Sequence, residues 1–584
     1  MSKEDSSDFE KKDDGEIHRV LGDFGKWQLK KCAFIISIIW LPSSFHLLNM
    51  VFFRAETDFW CRAPSEEWDI SHWRNISSPI LDLETGVRDP CHIYDINYTY
   101  YINPRDENIP SIVEEELPLK KCEAWDYDRS FWKATIIQEW DLVCDRKPLR
   151  KLTQQTTFFG LLVGVFVAGI LSDKFGRIST TLSLFGVVSI AGTLTAFSPT
   201  YEWFLVGVWI CGFCTLGSGT ILYCWMMEIV SGNAKTILGC APHFNYAFWG
   251  LSVAMIAYLV PDWRKMQLIF SVPLVVLLSM YWILPESPRW LHTHGYDRKA
   301  EIILRKIVSH NKSLPIEETD PIHLKPMVHH HHSKSSGQFK GIFHVLELFK
   351  TPNMCCNTLI IYFMWFATSL VYYGLTLNSN DSGGASIFIY FSAGKLIEIP
   401  AVAIVIILVL KTGRRFSCML LFFGGGICLL STMFIQKGVY KYDWPLVMLN
   451  VIGRGCSVGN LAICYVYSAE LFPTVIRNVG IGSSSVWARI GPMLAPFIKD
   501  LEVYNEKAPI VTLGIIAILA CFMVSFLPET KNHKVPDTLA ECEKITQGDN
   551  FYTSLCSRRK NGVTDYDLEK KMRKDSIRLT QSSY

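Results

Sequence analysis

The chain has 584 residues, of which 49% are hydrophobic and 19% charged, and its mean hydropathy is +0.19. It is poorer in charge than an ordinary soluble domain, in which about a quarter of the residues are charged. The formal net charge of +2 argues against a polyanion partner, so no nucleic acid is expected.

Residues 1–31 form a charged, polar tail without the apolar region of a cleavable signal peptide. Apolar stretches near the ~20 residues that cross a bilayer then recur. Twelve are predicted, at 32–53, 152–171, 178–197, 203–228, 238–260, 265–284, 355–377, 385–410, 416–435, 444–468, 478–498 and 509–527. The predicted fold class is therefore an all-α membrane protein. Segment 54–151, between the first two spans, holds Cys61, Cys91, Cys122 and Cys144 with the glycosylation triplets Asn75-Ile-Ser and Asn97-Tyr-Thr. Four cysteines allow three pairings, and together these signals predict disulfides on an oxidising, extracellular side. Lys174, Arg177, Lys235, Lys411, Arg414, Arg415, Arg477 and the 285–354 segment fall in alternate connections. By the positive-inside rule these are cytoplasmic, and an even span count puts both termini there.

Three motifs recur at nearly one offset. Gly176-Arg177, in the run Gly169-x-x-x-Asp173-Lys174-x-Gly176-Arg177, returns as Gly413-Arg414-Arg415, 237 residues later. Glu228-x6-Lys235 returns as Glu470-x6-Arg477, offset 242, and Pro285-Glu286-Ser287 as Pro528-Glu529-Thr530, offset 243. The spacing predicts two homologous six-span halves, the parallel repeat of a transporter with a site between them. The boundaries follow: a tail at 1–31, a first bundle at 32–284 including the large loop, a connection at 285–354, a second bundle at 355–527 and a tail at 528–584. The glycine lets the turn tighten, Asp173 is expected to meet the positive end of span three, and the basic residues are expected to pair with Glu228. Asp173, Lys174, Gly176, Arg177 and Glu228, with Arg414, Glu470 and Arg477, are candidate gating residues.

That turn, with PESPRWL at 285–291, EWDLVCD at 139–145, SAELFPTVIRN at 468–478 and PETKNHKVPDT at 528–538, resembles the organic cation, carnitine and organic anion transporter family of the major facilitator superfamily. The resemblance spans about residues 20 to 545. It implies two six-helix bundles rocking around one site in the plasma membrane, with no chemistry done on the substrate. The sequence departs from the family pattern at Ile178, where a further basic residue is usual, at Lys235, where Arg is common, and in the span-eight turn, which lacks the Asp. A weaker second latch is expected from these departures.

Charged residues inside spans are costly and mark functional positions. Here they are Lys395 and Glu398 in span eight, Arg454 in span ten and Arg489 in span eleven. Lys395 and Glu398, three apart, are also placed to neutralise one another, and Arg454 to tie two helices together. Arg489 stands where cation-preferring relatives carry Asp and relatives handling carnitine or organic anions carry Arg, which suits a substrate carboxylate. Tyr362, Trp365 and Tyr372 in span seven and Tyr223 in span four are candidates for an amine-binding aromatic wall. Trp365 and Tyr372 lie two helical turns apart on one face.

The predicted function is secondary transport of small organic cations or zwitterionic amines such as carnitine, with organic anion exchange or a non-transporting receptor as alternatives. No cofactor is expected. A zwitterion gains nothing from membrane potential and needs a co-ion, sodium or proton, or exchange. Ser43 stands where sodium-coupled relatives carry Asn, with Asn49 nearby. Nor is a metal site expected: His329 to His332 lie in a polar loop without Cys or acidic neighbours. The 540–584 tail reads as a disordered regulatory segment. An enzyme is not expected, since the chain has no P-loop, HExxH or G-x-S-x-G motif.

Overall fold

A computed structural model describes residues 24–531, apart from 66–67, 83–86, 97, 99–117, 231–237, 240, 313–345, 347, 378–386, 437 and 474–475. The poly-histidine run, Lys235, Asn97, the tail beyond 531 and the side chain of Arg477 lie outside the described residues. Helices occupy all twelve expected positions: α1 (Lys26–Phe53), α2 (Leu149–Phe175), α3 (Arg177–Thr195), α4 (Tyr201–Glu228), α5 (Pro242–Leu259), α6 (Trp263–Ile283), α7 (Pro352–Leu377), α8 (Ile387–Thr412), α9 (Arg414–Ser431), α10 (Trp444–Leu471), α11 (Arg477–Lys499) and α12 (Ala508–Val524). Nine of these are long and apolar enough to cross a bilayer by themselves, α5, α11 and α12 falling short in length or hydropathy.

The departures from regular helix have local causes. Pro273 removes a backbone donor in α6, where Val272–Ser279 tightens to a 3-10 helix. Within α11, Pro492 and Pro496 interrupt the ladder, and the carbonyl of Pro492 accepts instead from Gln154 Nε2 at 3.2 Å. Lipid offers no hydrophobic drive between helices, so close approach of small residues does the work. Gly160 and Gly164 of α2 lie directly against the backbone of Trp209 and Phe213 in α4.

Each bundle has its own core, one drawn from α1–α4 and α6 and one from α7–α12, and a third packs α1, α4, α5 and α6 against loop residues such as Trp132 and Ile136 and against Phe391 of α8. The loop between α1 and α2 is a small layer of its own. It pairs Phe59–Cys61 with Trp125–Tyr127, Ile80–Asp82 with Val87–Arg88, and His92–Tyr94 with Leu119–Lys121, all antiparallel. Of the three possible disulfide pairings it adopts Cys61–Cys122 with Cys91–Cys144, so the two bridges overlap along the chain. Lys121 also reaches Asp145 at 2.8 Å, and that bond and charge hold the exposed carboxyl below the usual range. Asn75 is exposed on the helix Ile70–Ser77.

On the opposite face, the connection between the bundles contains the helix Asp297–Lys312, which buries Ala300, Leu304 and Ile307 on one side. Asn311 near its end accepts from the backbone N–H of Trp27 at 2.9 Å and donates to Gln28 at 2.7 Å, tying the connection to α1.

Candidate functional site

The repeated motifs converge on two matching turns. Gly176 and Gly413 have φ of +101° and +100° with extended ψ, a region open essentially to glycine alone. Each turn presents the first amides of the next helix, α3 or α9, to a carboxylate that follows the sixth helix of the same bundle. Glu286 accepts from the backbone N–H of Arg177 at 2.8 Å and of Ile178 at 3.1 Å. Glu529 accepts from Arg414 at 2.8 Å and Arg415 at 3.1 Å. A negative charge at a helix N-terminus meets both the orphan donors and the dipole.

That geometry corrects one expectation. Asp173 does not meet the start of α3; Glu286 holds those amides, while Asp173 on the last turn of α2 pairs with the Arg177 guanidinium. Arg177 also reaches Glu228 at 3.1 Å and Ser172 Oγ at 3.0 Å. In the second half Arg414 reaches Glu470 at 2.7 Å, and Thr530 Oγ1 donates to the same carboxylate at 2.6 Å. Lys174 lies over the Phe175 ring at 5.2 Å. Both ion pairs join helices inside one bundle rather than across the two.

Three of the four charged candidates inside the spans, Lys395, Glu398 and Arg454, form one cluster. Glu398 of α8 accepts from Lys395 Nζ at 2.9 Å, from Tyr372 Oη of α7 at 3.0 Å, and from Arg454 Nη2 of α10 at 2.9 Å, all on Oε1. Lys395 also donates to Tyr372 Oη at 2.7 Å and to Glu398 Oε2 at 3.2 Å. No member is more than 2% exposed, so each charge depends on its partners rather than on water. Arg454 Nη1 is left without a hydrogen-bond partner among the described residues. The cluster reaches the other bundle through Lys395, whose ammonium lies 4.4 Å from the ring centre of Tyr246 in α5. Gly250, one turn along α5, makes room: a methyl there would stand 2.6 Å from Lys395 Cδ.

The remaining candidates sit elsewhere on the inner surface. Trp365 is buried, donates its Nε1 to Ser468 Oγ at 2.9 Å and meets Tyr465 edge-on, with ring centres 4.6 Å apart. Tyr465 in turn lies 6.3 Å from Tyr223 of the first bundle. Tyr362 stands apart from both groups, stacked on Trp487 and donating to Ser483 Oγ at 2.7 Å. Arg489 is partly buried and folds back on its own helix, donating to Ser485 O at 2.7 Å and Ser485 Oγ at 2.6 Å, within electrostatic reach of Tyr373. In α1, Ser43 and Asn49 are both buried; Asn49 donates to Gln267 at 3.3 Å while its own Oδ1 has no partner among the described residues.

Sequence reasoning did not single out Tyr246, Gly250 or Tyr465, since a tyrosine or glycine in an apolar run carries no signal of its own. The matched offset marked Glu286 and Glu529 as a repeated pair but not their role at the helix starts. On the face carrying the cystine loop the bundles meet closely. Lys151 of α2 pairs with Asp500 just beyond α11, and Phe388 of α8 stacks between Phe52 and Trp132. Between the bundles, Leu47, Gln154, Phe158, Tyr373 and Thr376 line a small gap.

Residues 132–538 match the family model described as sugar (and other) transporter. The organic cation transporter protein of Drosophila melanogaster is 31% identical over 538 residues, covering 91% of this chain and 93% of its own. The human organic cation/carnitine transporter 2 is 30% identical over 546 residues, covering 91% and 94%. The chain belongs to the organic cation, carnitine and organic anion transporter family of the major facilitator superfamily. The inward-open xylose transporter XylE of E. coli shares the fold, with a TM-score of 0.52 at 19% identity over 68% of this chain and 89% of that one. Membership makes this family protein a multi-pass membrane transporter and not an enzyme.

Proposed function

We propose that the protein is a plasma-membrane carrier of small zwitterionic amines, carnitine-like or amino-acid-derived, moved by alternating access. One observation carries the reading, a surplus of fixed positive charge in the interior. Lys395 and Arg454 share the single carboxylate of Glu398, and Arg489 adds a third cation with no acidic partner among the described residues. A substrate carboxylate answers that surplus, and a guanidinium is the group best shaped to hold it. The aromatic wall of Trp365, Tyr465 and Tyr223 offers ring faces to the amine. The names of the relatives support the class, since the human protein is named for organic cations and carnitine.

The proposed orientation has the termini and the paired turns in the cytoplasm and the cystine loop outside, supported by the alternation of Lys and Arg and by the two disulfides. Within each bundle the turn, its carboxylate and its ion pair brace three helices, which lets the bundle rock as a body. Organic anion exchange is the second reading, favoured by the same surplus of positive charge.

Uptake of radiolabelled carnitine by cells expressing the chain tests the proposal. A charged hydrogen bond contributes about 1.5–3 kcal/mol, so Arg489→Ala is expected to lower uptake about ten- to a hundredfold at equal surface level. Replacing sodium then reports whether that ion drives the cycle. Uptake of a carboxylate lacking the amine, with none of carnitine, favours anion exchange; uptake of a plain cation alone, unchanged in Arg489→Ala, sinks both readings.

A further inference from the structure

We infer that Lys30, Lys31 and Lys306 form a binding site for the headgroup of an anionic phospholipid, at the end of the first bundle where the connection docks. The inference is independent of the substrate reading and uses the proposed orientation only to name the leaflet, the cytoplasmic one. Lys30 and Lys31 end the polar tail just before the apolar run of α1, and Lys306 comes from the helix Asp297–Lys312. Asn311 fastens that helix to Trp27 and Gln28, and both Lys30 and Lys306 come within electrostatic reach of Lys31. None of the three has an acidic partner among the described residues. Gathering like charges costs free energy that a bound anion removes.

The depth of the cluster in the bilayer follows from Lys31. Its ammonium donates to the carbonyl of Ile283, the last residue of α6, at 2.8 Å, so the three charges sit level with the end of a span. Beside that carbonyl Tyr281 and Trp282 are 70% and 81% exposed, and such aromatic residues lie at headgroup level in membranes. On α1 an exposed stripe runs through Lys26, Lys30, Ala33 and Ser37, which places Lys30 at the end of the face that α1 turns to lipid. On the connection helix the exposed Ile302 lies one turn from Lys306 on the same face. Basic groups above exposed apolar and aromatic side chains match a phosphate joined to acyl chains, and a soluble anion would use only the lysines.

The consequence is a lipid that binds α1, α6 and the connection together. Dioctanoyl phosphatidylserine, titrated into the purified full chain in neutral detergent, is expected to raise Tm saturably, while dioctanoyl phosphatidylcholine and inorganic phosphate do not. Each lysine near the headgroup contributes about fivefold in affinity, so Lys30→Gln with Lys306→Gln is expected to weaken the midpoint about twenty-fivefold. Lys31 is left in place because it also holds the end of α6. Lys133→Gln with Lys147→Gln removes the same charge from exposed positions on the face of the cystine loop and is expected to keep the wild-type midpoint.

A wild type that does not respond to phosphatidylserine, or that responds equally to phosphatidylcholine or inorganic phosphate, overturns the inference. So does equal weakening in the two double variants. The wild type also decides the matter without any variant: phosphatidylserine is expected to protect Lys30 and Lys306 from chemical acetylation, read by mass spectrometry, and to leave Lys133 unprotected. Acetylation of Lys30 and Lys306 that phosphatidylserine leaves unchanged overturns the site. None of these readouts involves transport, so a failure of carnitine uptake counts against the zwitterion reading alone.

Discussion

On the face opposite the cystine loop, Glu286 serves the first bundle as Glu529 serves the second, each closing over a glycine turn beside an Arg–Glu pair. Midway along the spans the two halves differ. The first bundle supplies Tyr246, Tyr223 and Gly250, with no charge in contact with the cluster among the described residues, while the second supplies Lys395, Glu398, Arg454 and Arg489. A device that holds helices together has one geometric solution, and duplication kept it twice. A site that must meet one asymmetric molecule has no use for two equal halves, and there the copies diverged.

The comparison is open to attack at several points, beginning where the effect is largest. Glu398→Ala removes the anion from between two buried cations; breaking a buried pair costs about 3–5 kcal/mol, so the variant is expected to lose most of its surface expression. Double replacement, Glu398→Ala with Lys395→Met, restores part of it by leaving one cation instead of two. Surface biotinylation reads both, and equal loss in the single and double variants would show that charge balance is not what matters at this cluster.

The repeated turns come next. Gly176→Ala and Gly413→Ala each force a side chain into a glycine-only conformation, at about 1–3 kcal/mol, and the added methyl also collides with the facing glutamate. The two variants are expected to lower Tm by similar amounts. Glu286→Gln and Glu529→Gln remove the charge at the helix start, an effect of about 0.3–2 kcal/mol, and leave one accepting oxygen where two now serve the amides, again alike in both halves. A large loss in one half alone would break the symmetry argued from the structure.

The smallest effect is expected at the face of the cystine loop. Lys151 and Asp500 pair between the bundles but are 29% and 49% exposed, so the bond contributes at most about 1 kcal/mol and weakens with salt. Lys151→Gln is expected to change the uptake rate no more than a few-fold, and the difference should fade at high ionic strength.

Much of this was legible in the residues. Span length and hydropathy mark the helices because lipid forces every backbone group to be satisfied within the helix, and offsets of 237 to 243 mark the halves. The pairing of Lys395 with Glu398 could be read from spacing, since helix periodicity fixes neighbours, and that of Arg177 with Glu228 from the motifs that recur together in the two halves. What spacing does not carry is contact between helices distant in sequence. That Arg454 shares Glu398, or that Tyr246 lies under Lys395, depends on how two bundles are set against each other. The role of Asp173 was misjudged for a related reason: Glu286, 109 residues beyond Arg177, holds the same amides instead.

The overlap of the two disulfides bears on how the chain is made. A polypeptide entering an oxidising compartment from its N-terminus presents Cys61 and Cys91 first, before either has met its partner, because Cys122 and Cys144 follow only later. Nearest-first oxidation would join the wrong pair. Maturation of this loop therefore calls for delayed oxidation or for thiol–disulfide exchange that undoes the early bond, so the yield of folded carrier should depend on the isomerase capacity of the cell that makes it.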